Sequence, residues 1–197
     1  RSAAHLLECA AIARGERPLV MRHLPSALKP RQADRSRAVH RLPALPIELI
    51  GRSEIVQQLS NRLLGHGGRL LTLVGPPGVG KTTLALAVAT QVQQHYADGA
   101  HFIPLAAIND ATLMAATIVA TVAPGDNSNK PPQTRAIELL RPQATLLVLD
   151  NLEQIAGAAS LLATLLAECP TLTILATSRE RLHLRAEQRC KVPPLDL

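Results

Sequence analysis

A chain of 197 residues, 47% apolar and with a formal charge of +6, is long enough for one α/β domain with a short segment to spare. Tyr96 and Phe102 are its only aromatic residues, so the core is aliphatic and an aromatic platform for stacking single-stranded nucleic acid is argued against. Cys9, Cys169 and Cys190 are scattered, with no C-x-x-C or Cys/His ligand spacing, which speaks against a disulfide framework or a zinc site and makes a reducing, cytoplasmic setting the default.

The chain opens on Arg1 with no visible signal peptide and closes just after Pro193-Pro194; it is read as a piece of a longer protein. Residues 3–14 (AAHLLECAAIAR) carry helical spacing and stop at Gly15. Residues 15–46 hold Pro18, Pro25, Pro30, Pro43 and Pro46 among several arginines, the composition of an extended linker. Residues 1–46 contain nine Lys/Arg against three Asp/Glu, whereas residues 47–197 contain twelve of each, so the whole basic surplus sits in the N-terminal arm. Such an arm either docks on nucleic acid or is a linker that its own charge keeps extended.

Residues 53–64 place Ile55, Val56, Leu59, Leu63 and Leu64 on one helical face. Residues 69–74 (RLLTLV) predict a strand, and residues 81–96 a buried helix that is apolar almost all round. A second strand is expected at 100–105, a helix at 111–122, a loop at 124–132 and a helix at 133–140. The uncharged run 111–125 is too short, and too rich in Thr, Ala and Pro, to span a bilayer. A third strand at 145–149 ends on Asp150, a helix covers 155–168, and a fourth strand at 172–176 is followed by Thr177-Ser178-Arg179. A fifth strand falls at 189–192. Alternating strands and helices predict a parallel sheet with crossover connections.

Chemistry enters at Gly75-Pro-Pro-Gly-Val-Gly80-Lys81-Thr82, which matches G-x-x-x-x-G-K-[ST] between a predicted strand and a predicted helix. Average residue frequencies give such a match by chance in roughly one chain per hundred of this length, so the flanking strand and helix make the reading specific. Backbone N–H groups must turn inward around a phosphate, and Gly75, Gly78 and Gly80 permit that turn. Lys81 reaches the β- and γ-phosphates, Thr82 offers a hydroxyl to Mg²⁺, and the helix N-terminus adds its partial positive charge. Gly75, Pro77, Gly78, Val79, Gly80, Lys81, Thr82 and Thr83 are therefore the candidate nucleotide contacts. Asp150, at the end of an apolar strand, is the candidate Mg²⁺ acid. Glu153 either polarises the attacking water or is a first-turn acid favoured by a helix dipole. Thr177-Ser178-Arg179 lies at the ligand end of a parallel strand; it either reads the γ-phosphate or caps the next helix.

Other classes lose ground. The only Asn-Lys, Asn129-Lys130, lacks the acid with which a GTPase reads guanine, and Glu153 stands where a GTPase would want glycine. There is no Leu-Ser-Gly-Gly-Gln transporter signature, no ligand spacing among the seven histidines and no recognisable lid or acceptor site for a small-molecule kinase.

Leu49-Ile50-Gly51-Arg52-Ser53-Glu54, about two dozen residues before the phosphate loop, resembles the hydrophobic-hydrophobic-Gly-Arg-x-Glu motif of STAND-class NTPases, the group that contains the NB-ARC domains. Residues 146–155 (LLVLDNLEQI) look like that group's Walker B region, Ala176-Thr177-Ser178-Arg179-Glu180 its sensor segment, and Val192-Pro193-Pro194-Leu195 its exit toward a helical subdomain. The resemblance covers residues 46–197 and is closest to the NTPase part of LuxR- or AfsR-like bacterial regulators. Residues 3–18 resemble, more faintly, the tail of a lambda-repressor-like helix-turn-helix domain.

The resemblance implies a three-layer α/β P-loop NTPase fold with sheet order 5-1-4-3-2, preceded by the short helix (1–14) and the basic linker (15–46), with the NTPase domain at 47–197. It implies that Leu49, Ile50 and Arg52 contact the base and ribose, that Lys81, Asp150, Glu153 and Arg179 form the catalytic set with Arg179 sensing the γ-phosphate, and that Thr82 and Asp150 hold the metal. Asn151 stands where many members carry a second acid, which leaves Glu153 as the nearest carboxylate and implies slow hydrolysis. The expectation is an ATP/ADP switch with Mg²⁺, a weak ATPase at most, in a transcription regulator. Its partners would be nucleotide, C-terminal helical or repeat domains of the same chain, DNA through an N-terminal domain, and further copies on activation, with no membrane. The alternatives are an AAA+-like work-performing ATPase, with Arg181 or Arg185 as an arginine finger, and a DNA-binding module with a structural nucleotide.

Overall fold

The computed structural model describes residues 42–44, 51–65 and 68–193. Contacts divide the chain into two units, 1–33 and 34–197, and every described residue lies in the second. The expected helix at 3–14, nearly all of the basic linker, and the proposed base contacts Leu49 and Ile50 lie outside the described residues.

Numbered along the described residues, the order is α1 (Ser53–Leu64), β1 (Leu70–Val74), α2 (Lys81–Val92), β2 (Ala100–Pro104), α3 (Ala111–Val122), α4 (Pro132–Leu140), β3 (Leu146–Asp150), α5 (Ala158–Glu168), β4 (Thr173–Ser178) and β5 (Glu187–Lys191). Short 3₁₀ turns follow α2 (Gln93–His95) and β3 (Leu152–Gln154). The five strands form one sheet in the order β2-β3-β4-β1-β5, every pair parallel. Read from the β5 edge, this is the expected 5-1-4-3-2.

The strands separate two aliphatic cores. Leu71, Leu73, Val148 and Leu175 face α1 and α2, where they meet Leu59, Leu63, Leu84, Val88 and Val92. Leu70, Leu147, Leu149, Ile174 and Ala176 face α3, α4 and α5, packing on Met114, Ile118, Leu140, Leu162 and Leu165. Alternate residues of one strand thus supply opposite cores, which is why the central strands read as unbroken apolar runs. The outcome is the three-layer architecture expected.

Helix ends are set locally. Asp110 accepts hydrogen bonds from the N–H groups of Thr112 and Leu113, capping α3. Pro132 occupies the first turn of α4, where its missing N–H costs nothing, so this helix begins one residue earlier than expected. Arg69, just ahead of β1, donates to the carbonyls of Leu166 and Cys169 at 2.6 and 2.7 Å, closing the carboxyl end of α5 with a cation. The helix expected from residue 155 begins instead at Ala158, because Gly157 at φ +78° breaks the run and a 3₁₀ turn precedes it. The fourth strand continues through Thr177 and Ser178, which were expected beyond its end.

Candidate functional site

The carboxyl ends of β1, β3 and β4 converge on the phosphate-loop segment. Val74 is in register with Ser178, and Leu149 with Ala176, which sets Asp150 beside Thr177. The loop leaves β1 at Gly75, whose N–H donates to the Ser178 carbonyl at 3.3 Å. It passes Gly78 (φ +79°) and enters α2 through Gly80 (φ +82°), two left-handed positions that side chains resist. Pro76, Pro77 and Gly78 are exposed, and Val79, Thr82 and Thr83 are half-buried. A β-carbon on Gly75 would sit 3.1 Å from the Val192 carbonyl oxygen, so that position has little room for a side chain.

Lys81 folds over this loop. Its Nζ donates to the carbonyls of Gly75 and Pro76 at 2.8 and 2.9 Å, with the residue only 8% exposed. The ammonium is thereby parked on the rim of the loop with one donor left over.

Asp150 sits at the centre, 7% exposed. Its Oδ1 accepts from Thr82 Oγ1 at 2.8 Å and from Thr177 Oγ1 at 2.5 Å. Thr177 Oγ1 in turn accepts the N–H of Asn151 at 3.0 Å. Asn151 is left-handed (φ +67°), which turns the chain off β3 into the 3₁₀ turn that carries Glu153. Gln154 anchors that turn by donating to the carbonyls of Leu105 and Ala106. The sequence reading included Thr177 in the sensor triplet and missed its grip on Asp150. The signal was the pairing of the third and fourth strands, which sets their last residues side by side.

Glu153 and Arg179 meet. Arg179 Nε lies 2.9 Å from Glu153 Oε1, and the Arg179 backbone N–H donates to Oε2 at 3.3 Å. The arginine side chain is 61% exposed and the glutamate 16%. No helix separates β4 from β5, so Thr177-Ser178-Arg179 caps none.

Arg52 lies 6% exposed against the other side of the loop, with Nη1 3.3 Å from the place a Gly80 β-carbon would take. The structure thus brings together Arg52, Gly75, Pro77, Gly78, Val79, Gly80, Lys81, Thr82, Thr83, Asp150, Glu153 and Arg179, around the loop or at the strand ends beside it. The hard oxygen donors Thr82 Oγ1 and Asp150 Oδ1, already at contact distance, fit a Mg²⁺ ion, which prefers such ligands. Away from the site, burial pushes the thiols of Cys169 and Cys190 up, the opposite of what a reactive thiolate needs.

A parallel sheet in this order, with a glycine-rich turn from β1 into a helix and a threonine–aspartate pair across the strand ends, defines a P-loop NTPase. Residues 69–193 match the NACHT domain model, and the chain belongs to that family, within the STAND class of P-loop NTPases. It is 38% identical over 137 residues, 69% of this chain and 15% of the relative, to a Mycobacterium bovis protein named as an HTH-type transcriptional regulator. It is 40% identical over 67 residues, 32% of this chain and 7% of the relative, to the regulatory protein AfsR of Streptomyces griseus. The chain therefore spans a small fraction of the curated relatives it matches. The Aeropyrum pernix ORC1 protein in complex with DNA shares the fold, at 19% identity and a TM-score of 0.57, covering 79% of this chain and 48% of that one. Among the described residues, no helix is long and apolar enough to cross a membrane.

Proposed function

We propose that this domain is an ATP/ADP-controlled switch that hydrolyses ATP slowly. The observation that carries the reading is the Glu153–Arg179 pair. Glu153 is the nearest carboxylate after Asp150, and Arg179 is the cation at the end of β4. Each is engaged by the other, which supports a reading in which hydrolysis is slow. The Arg179 side chain is 61% exposed, so its pairing with Glu153 is worth only about 0–1 kcal/mol and is readily given up. In this reading Arg179 exchanges Glu153 for a γ-phosphate, and that exchange distinguishes ATP from ADP.

In this reading Lys81 releases the Gly75 and Pro76 carbonyls to bind the β- and γ-phosphates. Thr82 and Asp150 hold Mg²⁺, which when bound neutralises developing phosphate charge. Residues of the motif before α1, namely Leu49, Ile50 and Arg52, border the base and ribose. Similarity to a protein named as an HTH-type transcriptional regulator supports a regulator as the setting, with DNA engaged by another part of the chain. A work-performing ATPase draws on one observation: exposed Arg181 lines a cleft beside Val74 with Arg189 and Lys191, and Glu180 and Glu187 line the same cleft.

The test is to purify the protein without added nucleotide, denature it and identify what is released. Stoichiometric ADP with slow turnover that does not change on dilution is the expected result. Fast turnover that collapses on dilution overturns the switch in favour of an assembled motor. Lys81→Ala abolishes tight nucleotide binding; unchanged ATP affinity in that variant removes the site assignment.

A further inference from the structure

The 3₁₀ turn at Leu152–Gln154 leaves the end of β3, the middle one of three neighbouring strands, β2, β3 and β4. About three residues make one turn of such a helix, so the side chains of Leu152 and Ile155 share a direction. Both are buried in the core that faces α3, α4 and α5. The two side chains between them go to either side. Glu153 goes to the β4 side, where it meets Arg179. Gln154 goes to the β2 side, where its Nε2 donates to the carbonyls of Leu105 and Ala106 at 3.0 and 2.6 Å.

The stretch that Gln154 grips begins where β2 ends, at Pro104, and backbone bonds tie it to the chain leaving β3. The Leu105 N–H donates to the Asp150 carbonyl at 3.0 Å, and the Ala156 N–H donates to the Asn109 carbonyl at 3.0 Å. These bonds lie on either side of the turn in sequence, and Gln154 supplies side-chain bonds between them. An amide nitrogen has one hydrogen for each of its two carbonyls. Leu152 and Ile155 are anchors in one line, which alone leave the turn free to pivot about that line. An anchor to the side removes the pivot.

We infer that Gln154 is the positioning residue for Glu153: its grip on the Leu105 and Ala106 carbonyls fixes the turn from which the Glu153 carboxylate acts on the attacking water. The inference rests on the reading above, in which ATP is hydrolysed slowly and Arg179 leaves Glu153 for a γ-phosphate. On that exchange Glu153 gives up its partner on the β4 side. The anchor on the β2 side does not change, because its acceptors are backbone carbonyls of a stretch already bonded to β3. The carboxylate therefore keeps its bearing when it is needed, and a misplacement of about 1 Å can cost about a hundredfold in rate. A side-chain amide suits the task. Glutamate has the same shape but would set carboxylate oxygens against two carbonyl oxygens, and methionine fills similar space with no donor.

The experiment measures ATP affinity and single-turnover MgATP hydrolysis for the chain as it stands, Gln154→Met, Glu153→Gln and the double variant. Gln154→Met should bind ATP as the parent does and hydrolyse it about tenfold more slowly. Glu153→Gln should lose about a hundredfold, and adding Gln154→Met to it should lower the rate no further, because both changes act through one carboxylate. A second loss of the same size in the double variant overturns the inference, as does parental turnover in Gln154→Met. A merely structural Gln154 gives that last result, with a lowered thermal midpoint. Failure of the underlying reading looks different: Glu153→Gln hydrolyses ATP like the parent, or the parent binds ATP without hydrolysing it. Either result removes the role of Glu153 and the inference with it. Gln154 is exposed, so removing its amide opens no hole in the core. Gln154→Glu, which also lacks the donor, takes the place of Gln154→Met if that variant does not fold.

Discussion

Replacing Thr177 by valine tests whether the strand-end network holds the site together. The hydroxyl is wholly buried and performs two tasks, donating to Asp150 at 2.5 Å and accepting the Asn151 N–H at 3.0 Å. Losing a hydrogen bond to a charged acceptor costs about 1.5–3 kcal/mol, and stranding a buried N–H costs about 1–3 kcal/mol. Asn151 is half-buried and recovers part of its loss from water, so the sum falls near 3 kcal/mol. That is a large part of the roughly 5–15 kcal/mol that holds a typical domain together. Thr177→Ser keeps the hydroxyl and gives up one methyl group, a cost of about 1 kcal/mol. Urea unfolding followed by circular dichroism reads both variants, with an unchanged m-value as evidence that the same surface unfolds. The valine variant should fall about 2 kcal/mol below the serine variant. Equal stability of the two would refute the argument, because it would mean that the hydroxyl contributes nothing through Asp150 or Asn151.

Asp150→Ala removes the acceptor shared by Thr82 and Thr177, and ATP binding in that variant should no longer depend on Mg²⁺; a titration with and without chelator decides this, and equal dependence would make Asp150 purely structural. Leu162→Ala, at a wholly buried position on α5, should cost about 2–5 kcal/mol in the same urea assay, since the sheet face beneath it cannot collapse into the space. Asp126 grips Arg135 through both carboxylate oxygens, and this hydrogen bonding holds its carboxyl below the usual range. A depressed carboxyl stabilises the fold above its unfolded-state pKa, and that contribution disappears as pH falls through the folded-state value. Asp126→Asn should therefore flatten the acid limb of stability against pH, and an unaltered limb in thermal melts would count against the pair.

The alternation of strands and helices and the phosphate loop were legible because their signals are local: apolar runs, glycines and a Lys-Thr pair within a few residues. Boundaries slipped where one residue's backbone decided the matter. Gly157 in a left-handed conformation delays α5, which hydrophobic spacing alone carries back to residue 155. Thr177 and Ser178 look like turn residues, yet they remain in β4 because their polar groups have work at the strand end. β5, with the sequence EQRCK, has almost no apolar signal; among the described residues it pairs with β1 alone, and its polar residues are half-buried or exposed.

What the residues could not disclose one by one were the ties between them. Asp150 and Thr177 are 27 positions apart, Glu153 and Arg179 are 26 apart, and Arg52 and Pro193 are 141 apart. No local pattern marks such pairs, because each depends on which strands are neighbours. Once the order 5-1-4-3-2 is accepted, the first follows from register alone: Leu149 opposite Ala176 leaves Asp150 and Thr177 as adjacent strand ends. The second follows from the first, since a left-handed Asn151 folds the chain after β3 back toward the residue that leaves β4. The third requires β5 beside β1, which brings residue 193 past the loop that begins at Gly75. Strand order is therefore the piece of information that converts a list of candidate ligands into a connected site, and no strand's composition carries it: in this chain it is implied only by the resemblance to STAND-class NTPases that the ordered motifs support.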